Sequence, residues 1–145
     1  MVSLSAGAQL AEKKALTLDA AKKIAAAAEA EAKKNSWNVV IAIVDDGGHL
    51  LYLQRMDGTQ TGSIDVAIKK AQTAMSFKRP TKVFEDAIAG GRTALIALHG
   101  ALPLEGGIPV TVGGQIIGAI GVSGVKSTED GQIAKAGADF AAGLN

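Results

Sequence analysis

Chemistry needs side chains that ionise, attack or ligate, and this chain carries few of the reactive kinds: no cysteine and two histidines, His49 and His99. Without cysteine there are no disulfides, thiolate nucleophiles or cysteine-based zinc and iron–sulfur sites. Asp45, Asp46 and His49 are close enough together to hold a metal ion. The same carboxylates beside Gly47-Gly48 are also what a tight hairpin turn uses, so both readings stand. Ser63 and Ser123 have no histidine at a spacing that would tie a base to a nucleophile, which argues against serine-hydrolase chemistry. Gly106-Gly107 ahead of Pro109 could offer backbone amides to an anion, and Gly118, Gly121 and Gly124 could admit either a ligand or a packed neighbour. None of these glycines forms G-x-G-x-x-G at a strand-to-helix turn, and the P-loop, HExxH and EF-hand patterns are absent.

Such residues need elements to position them. Apolar groups at Leu18, Ala21, Ala25, Ala28 and Ala32 have helical spacing, with Thr17 as N-cap and Asp19 in the first turn, and predict a helix over 18–34. Trp37 to Val44 is a β-branched run that turns at Asp45-Asp46-Gly47-Gly48 into the apolar run His49 to Met56, a hairpin. After a polar loop, Ser63 can cap a helix with the stripe Ile64, Ala67, Ile68, Ala71 and Met75, which stops before Pro80. Thr81 opens a short helix ending near Gly90-Gly91, and Thr93 to His99 reads as another turn or two of helix. Ile108–Val112, Gly113-Gly114 and Gln115–Val122 repeat the hairpin. Ser127 or Thr128 then opens a last helix carrying Ile133, Ala136, Phe140 and Leu144.

The order is α-β-β-α-α-β-β-α. Two hairpins joined by helices build a mainly antiparallel sheet with helices against it, an α+β (α/β) fold, and disfavour a Rossmann arrangement. The αββα unit occurs twice, without enough identity between the halves to indicate a duplication.

The chain's 145 residues suit one domain over 1–145, with residues 1–16 as an N-terminal extension. Apolar residues make up 48% but aromatics only 3%, so the core must be packed from small and branched side chains. A net charge of +1, with both signs interspersed, argues against nucleic acid, whose phosphates demand a basic patch. No stretch approaches the ~18 consecutive apolar residues that span a bilayer. The start of the chain lacks a basic segment before an apolar one, and Glu12, Lys13 and Lys14 interrupt the only candidate. A cytoplasmic location is expected.

The stretch from Val44 to Leu50 followed by Arg55-Met56-Asp57-Gly58 resembles the hairpin signature of the GlcG/HbpS family. Ser63 to Ala71, Phe77-Lys78-Arg79-Pro80-Thr81, Gly106 to Val110 and Gly118 to Gly124 follow in the family's order and spacing. The likeness runs over roughly residues 17 to 142. It implies a profilin-like antiparallel sheet flanked by helices and a homo-oligomer between dimer and octamer. It further implies a role in haem binding or degradation, as an accessory of glycolate metabolism, or as a domain appended to corrinoid enzymes.

The chain departs from the family at two places. Some haem-binding relatives use a histidine in the first helix, and residues 17 to 35 contain none. Glu105 stands where proline is expected. Haem iron takes a His, Met, Tyr or Cys donor, which leaves His49, His99, Met56, Met75 and Tyr52; the histidines are the leading iron ligands. Through the resemblance, Arg55, Asp57, Lys70 and Arg79 become ligand-binding residues with Gly106 and Gly107, because guanidinium and ammonium groups suit haem propionates or a small carboxylic acid.

Three readings follow. The first is a haem or tetrapyrrole binder, or a haem-degrading protein. A second is a catabolic enzyme or accessory acting on a small carboxylate or carbonyl metabolite, with Asp57 or Glu105 as acid/base and Arg55 and Arg79 orienting the anion. The third is a structural domain whose glycine-rich strands and alanine-rich helices build an oligomer.

Overall fold

The computed structural model describes residues 7–145. The elements are α1 (Leu18–Lys34), β1 (Val40–Asp45), β2 (Leu50–Arg55), α2 (Ser63–Phe77), α3 (Lys82–Ala89), a 3-10 turn (Thr93–Ala97), β3 (Gly107–Val112), β4 (Gln115–Ser123) and α4 (Ser127–Ala142). The order is the one the hydrophobic pattern predicts. All neighbouring strands are antiparallel in the order β2-β1-β4-β3, so the two hairpins meet through their inner strands. Of the N-terminal extension, residues 1–6 lie outside the described residues. Further along it, Leu16 is buried in the core and Lys13 is paired with Asp46.

Antiparallel sheets commonly leave one face to water; the inner strands here are covered on both. Val39, Ile41 and Ile43 join Ile120 and Val122 in one apolar cluster with the small residues of α1 and α4. The alternate residues Val40, Ala42 and Val44 face the other way, onto Ala67, Ala71 and Ala74 of α2. A period of two along the strands thus supplies two cores to a three-layer domain.

Small residues set how close the layers come. A Cβ at Gly121 would lie 2.5 Å from the Ala71 amide nitrogen and 3.0 Å from the Ala71 Cβ, so α2 rests directly on the β4 backbone. On the opposite face, a Cβ at Gly137 would stand 2.7 Å from Ile120 Cδ1 and 3.4 Å from Ala28 Cβ, which lets α4 settle between β4 and α1. The aromatic-poor composition is therefore matched by close backbone contact.

Several local expectations are corrected. Thr17 does cap α1, its hydroxyl accepting from the Ala20 amide at 3.1 Å; Thr81 holds the N-cap position of α3 but makes no side-chain capping bond, and Ser63 is the first residue of α2, behind Gly62 as N-cap. The Ser63 hydroxyl is buried and accepts from Ser123 Oγ at 3.2 Å, and Thr81 is fully buried against Gly107. β1 begins at Val40, leaving Trp37 outside the strand. The buried stripe of α4 is Asp130, Ile133, Ala134, Gly137 and Ala141, with Phe140 left 41% exposed. Close approach to α1 requires the face with the smaller residues, and that outweighs burial of the one ring.

Gly121→Ala is expected to cost about 3 kcal/mol or more, because rigid backbone lies where the methyl group must go. Gly62→Ala, at an open position with ordinary helical φ of -59, should change stability by less than about 1 kcal/mol. Urea unfolding of the two variants beside the parent protein checks both values.

Candidate functional site

A cavity of about 540 Å³ opens between the start of β3 and the outer face of α4. Glu105, Gly106, Gly107 and Ile108 form one wall; Gly131 and Ala138 form the facing one. Pro80 adds apolar surface, and Lys82 of α3 and Lys135 of α4 stand at the rim. Gly131 and Ala138 are seven positions apart, two helical turns, so they lie on one side of α4 and leave gaps among Thr128, Gln132 and Lys135, which line the same wall. That missing volume makes the wall concave.

The Glu105 carboxyl rests on Gly131, where a Cβ would come within 2.8 Å of its Cγ. Its own amide donates to Glu85 Oε2 at 3.1 Å, while Glu85 Oε1 accepts from Ser127 Oγ at 3.3 Å. One carboxylate of α3 thereby ties the loop before β3 to the first turn of α4. Burial, more than any other influence, pushes the Glu105 carboxyl above its ordinary range; Glu85 and Asp86 add to the shift and Lys82 opposes it. The rim lysines are each paired along their own helix, Lys82 with Asp86 and Lys135 with Asp139, both at 2.6 Å.

Behind this wall, Lys70 of α2 and Asp130 of α4 form an ion pair at 2.9 Å, with side chains only 2% and 3% exposed. Lys70 Nζ also donates to the Val122 carbonyl at 3.0 Å, and Asp130 Oδ1 accepts from the Val125 amide at 3.2 Å. Burial pushes the Asp130 carboxyl up, against the pull of the adjacent ammonium. A Cβ at Gly106, where φ is +130, would lie 2.9 Å from Lys70 Nζ. The glycine is needed for both its conformation and its close approach. The Gly107 amide donates to Thr81 Oγ1 at 2.9 Å and so is not free for a ligand.

The remaining site residues read from the sequence are dispersed. Arg55 and Asp57 line a separate polar pocket of about 520 Å³ with Glu29, Lys33 and Gln54, at the β2 edge of the sheet. Strand pairing sets Arg55 opposite Val40 and Val40 opposite Ser123, so this pocket lies about 14 Å across the sheet from β3. Asp57 and Glu105 thus do not face one another. Arg79 lies over the Phe84 ring at 5.9 Å, and its Nε donates to the Phe77 carbonyl. Lys70 is interior, as described.

The turn reading of Asp45 is visible in the geometry: its Oδ1 accepts from the amides of Gly47 and His49, both at 2.9 Å. Among the described residues, no group of three or more His, Asp or Glu side chains is placed to hold a metal ion. His49 and His99 are exposed and neither lines the β3–α4 cleft. Met75 is buried under α2, Met56 packs against the main core, and the half-buried Tyr52 donates its hydroxyl to Gln54.

The sequence reading missed Lys82, Lys135 and Asp130. A signal for the last was available: Asp130 falls on the same helical stripe as Ile133, Ala134 and Gly137, as Lys70 does with Ala67, Ala71 and Ala74. Opposite charges set into the apolar stripes of two helices mark a buried pair.

The fold and site define a class: a three-layer α+β fold, profilin-like in its antiparallel sheet, with an apolar, lysine-rimmed cleft at one sheet edge. Residues 16–139 match the family model described as haem degrading protein HbpS-like, and the chain belongs to that family. Protein GlcG of Escherichia coli K12 is 48% identical over 108 residues, 74% of this chain and 81% of that protein. A double mutant of Streptomyces reticuli HbpS superposes with a TM-score of 0.82 at 38% identity, covering 97% of this chain and 96% of that one. A PduOC:haem complex superposes at 0.79 with 29% identity, covering 91% and 98%. No helix among the described residues is long and apolar enough to cross a membrane.

Replacing one partner of the buried pair strands the other charge. Lys70→Met alone should destabilise by about 3–5 kcal/mol, whereas Lys70→Met combined with Asp130→Leu should recover at least half of that loss. A double-mutant cycle by denaturant unfolding measures the coupling, and strictly additive effects would contradict the assigned pairing.

Proposed function

We propose that this protein binds a flat, apolar molecule bearing carboxylates in the β3–α4 cleft, and that the ligand class is a haem-type tetrapyrrole. The observation that carries the reading is the cleft itself. It is concave, its walls are mainly apolar carbon, and two ammonium groups stand at the rim, the distribution a macrocycle with propionates would match. Membership of a family described as haem degrading and the likeness to a haem-bound PduOC structure support the choice of ligand.

Apolar walls and rim cations suit the macrocycle and its propionates, with Lys82 and Lys135 as their partners. Among the described residues no imidazole, thioether or phenol lines the cleft, so those residues do not suit axial ligation of iron by any of these groups. Haem would bring its own redox chemistry. The protein's part is to hold the ring, shield one face from water and orient the carboxylates outward. The enzymatic alternative, with Asp57 or Glu105 as acid/base and Arg55 and Arg79 orienting the anion, is less favoured because Arg55 shares a pocket with Asp57 alone and Arg79 lines the pocket of neither carboxylate.

Titrating the full-length protein with haemin should give a saturable Soret change. That change should persist in His49→Ala and His99→Ala and weaken roughly two- to fivefold in Lys82→Gln or Lys135→Gln, the scale of an exposed ion pair. A titration that never saturates would refute tetrapyrrole binding. Loss of the change in either histidine variant would move the site out of this cleft.

A further inference from the structure

We propose that Glu105 sets the charge selectivity of the β3–α4 cleft, admitting anionic ligands while protonated and repelling them once ionised. The inference rests on the reading of this cleft as the ligand site. On α3, Lys82 is paired with Asp86 at 2.6 Å, and Glu85 is occupied by the Glu105 amide and the Ser127 hydroxyl. On α4, Lys135 is paired with Asp139, and Lys70 of α2 is committed to Asp130 and the Val122 carbonyl. Each nearby cation already has its acid. Among the cleft-lining groups, the Glu105 carboxyl is the one acid without a hydrogen-bonding or ion-pairing partner among the described residues.

Geometry holds that carboxyl against the cleft. Its backbone is tied to α3 by Glu85, and its Cγ and Cδ would stand 2.8 and 2.9 Å from any Cβ at position 131. Glycine at 131 gives the side chain its seat. A single proton on Glu105 then decides whether the wall carries a further negative charge beside that of Glu85, whose own partners are neutral. The protonated form is favoured by burial and by the negative charges of Glu85 and Asp86, while Lys82 and Lys70 favour the ionised form. Because the net shift is upward, the neutral acid persists above the usual carboxylate range of about 4.3. The sign follows: affinity for an anion is highest at low pH and falls as pH rises through the raised value, whereas a neutral ligand should be indifferent.

Two fluorescent probes with the same aromatic body separate charge from shape. 1-Anilinonaphthalene-8-sulfonate keeps its negative charge from about pH 5 to about pH 8, and N-phenyl-1-naphthylamine is neutral throughout. With the full-length protein, affinity for the sulfonate should fall as pH rises over that range, by up to about fivefold for complete ionisation of Glu105, the scale of one like-charge repulsion across a partly hydrated cleft. In Glu105→Gln it should hold one value across the range, no lower than the highest the parent protein reaches, and the neutral probe should bind equally at both pH values in both proteins. The proposal fails if Glu105→Gln keeps the pH dependence, if the neutral probe shows the same fall, or if the sulfonate does not bind. The ligand reading is judged separately: haemin that never saturates beside the expected sulfonate behaviour would remove the tetrapyrrole and keep the selectivity, and saturable haemin beside a pH-insensitive sulfonate would do the reverse.

Discussion

The contact between Lys70 and Asp130 joins layers that would otherwise meet only through the sheet. Lys70 belongs to the helix on one face, Asp130 to a helix on the other, and they meet beside the end of β4, where the Val122 carbonyl takes a further proton of the ammonium. Burying two charges carries a desolvation cost of several kcal/mol per ion, which close pairing and added hydrogen bonds must offset. All the buried side-chain polar atoms in the described structure find partners, so the pair sits in a saturated network. Such a pair adds little net stability and a great deal of constraint. With both side chains committed, α2 and α4 cannot slide relative to one another without stranding a charge.

That constraint shapes the surface above it. The loop entering β3 has to pass within contact distance of Lys70, and Gly106 is the residue whose conformation and lack of a side chain allow it. Thr81 then fastens Gly107 through both its amide and its carbonyl, so the start of β3 is fixed from α3 as well as from α2. The cleft is therefore framed by the ordered part of the fold. A binding site built on pinned backbone loses little entropy when it is filled.

Much of the frame was legible in the sequence, because helix and strand periodicities differ and the glycine turns separate them cleanly. The first helix was placed at its observed bounds, and both hairpins were found from β-branched runs around glycine pairs. The errors came where tertiary contact outranks local preference. Ser63 and Thr81 have the chemistry of caps, but each faces a strand across the core and spends its hydroxyl there. Phe140 is apolar and at helical spacing, yet α4 turns its smaller residues inward. The site was legible only in part. Glu105, Gly106 and Gly107 lie together because they adjoin in sequence, whereas Lys82 and Lys135 reach the same cleft from α3 and α4, a juxtaposition that only the packing creates. Arg55 and Asp57 were grouped with them by motif, and strand order puts them at the opposite edge.

The location of the cleft follows from the composition of the core. Alanine, glycine, valine and isoleucine close the two interior layers with helix backbone resting on strand backbone, and such packing leaves no room for a ligand between them. An apolar cleft forms instead where small residues face outward. α4 supplies that at Gly131 and Ala138, on a strip beside the one it buries. The same smallness that lets helices approach within the core thus opens a groove at the edge, and Gly131 belongs to both: it is buried, and it leaves the space in which the Glu105 carboxyl rests. A side chain at that position would push the acid from its seat and fill part of the groove at once, so the shape of the cleft and its charge depend on one residue.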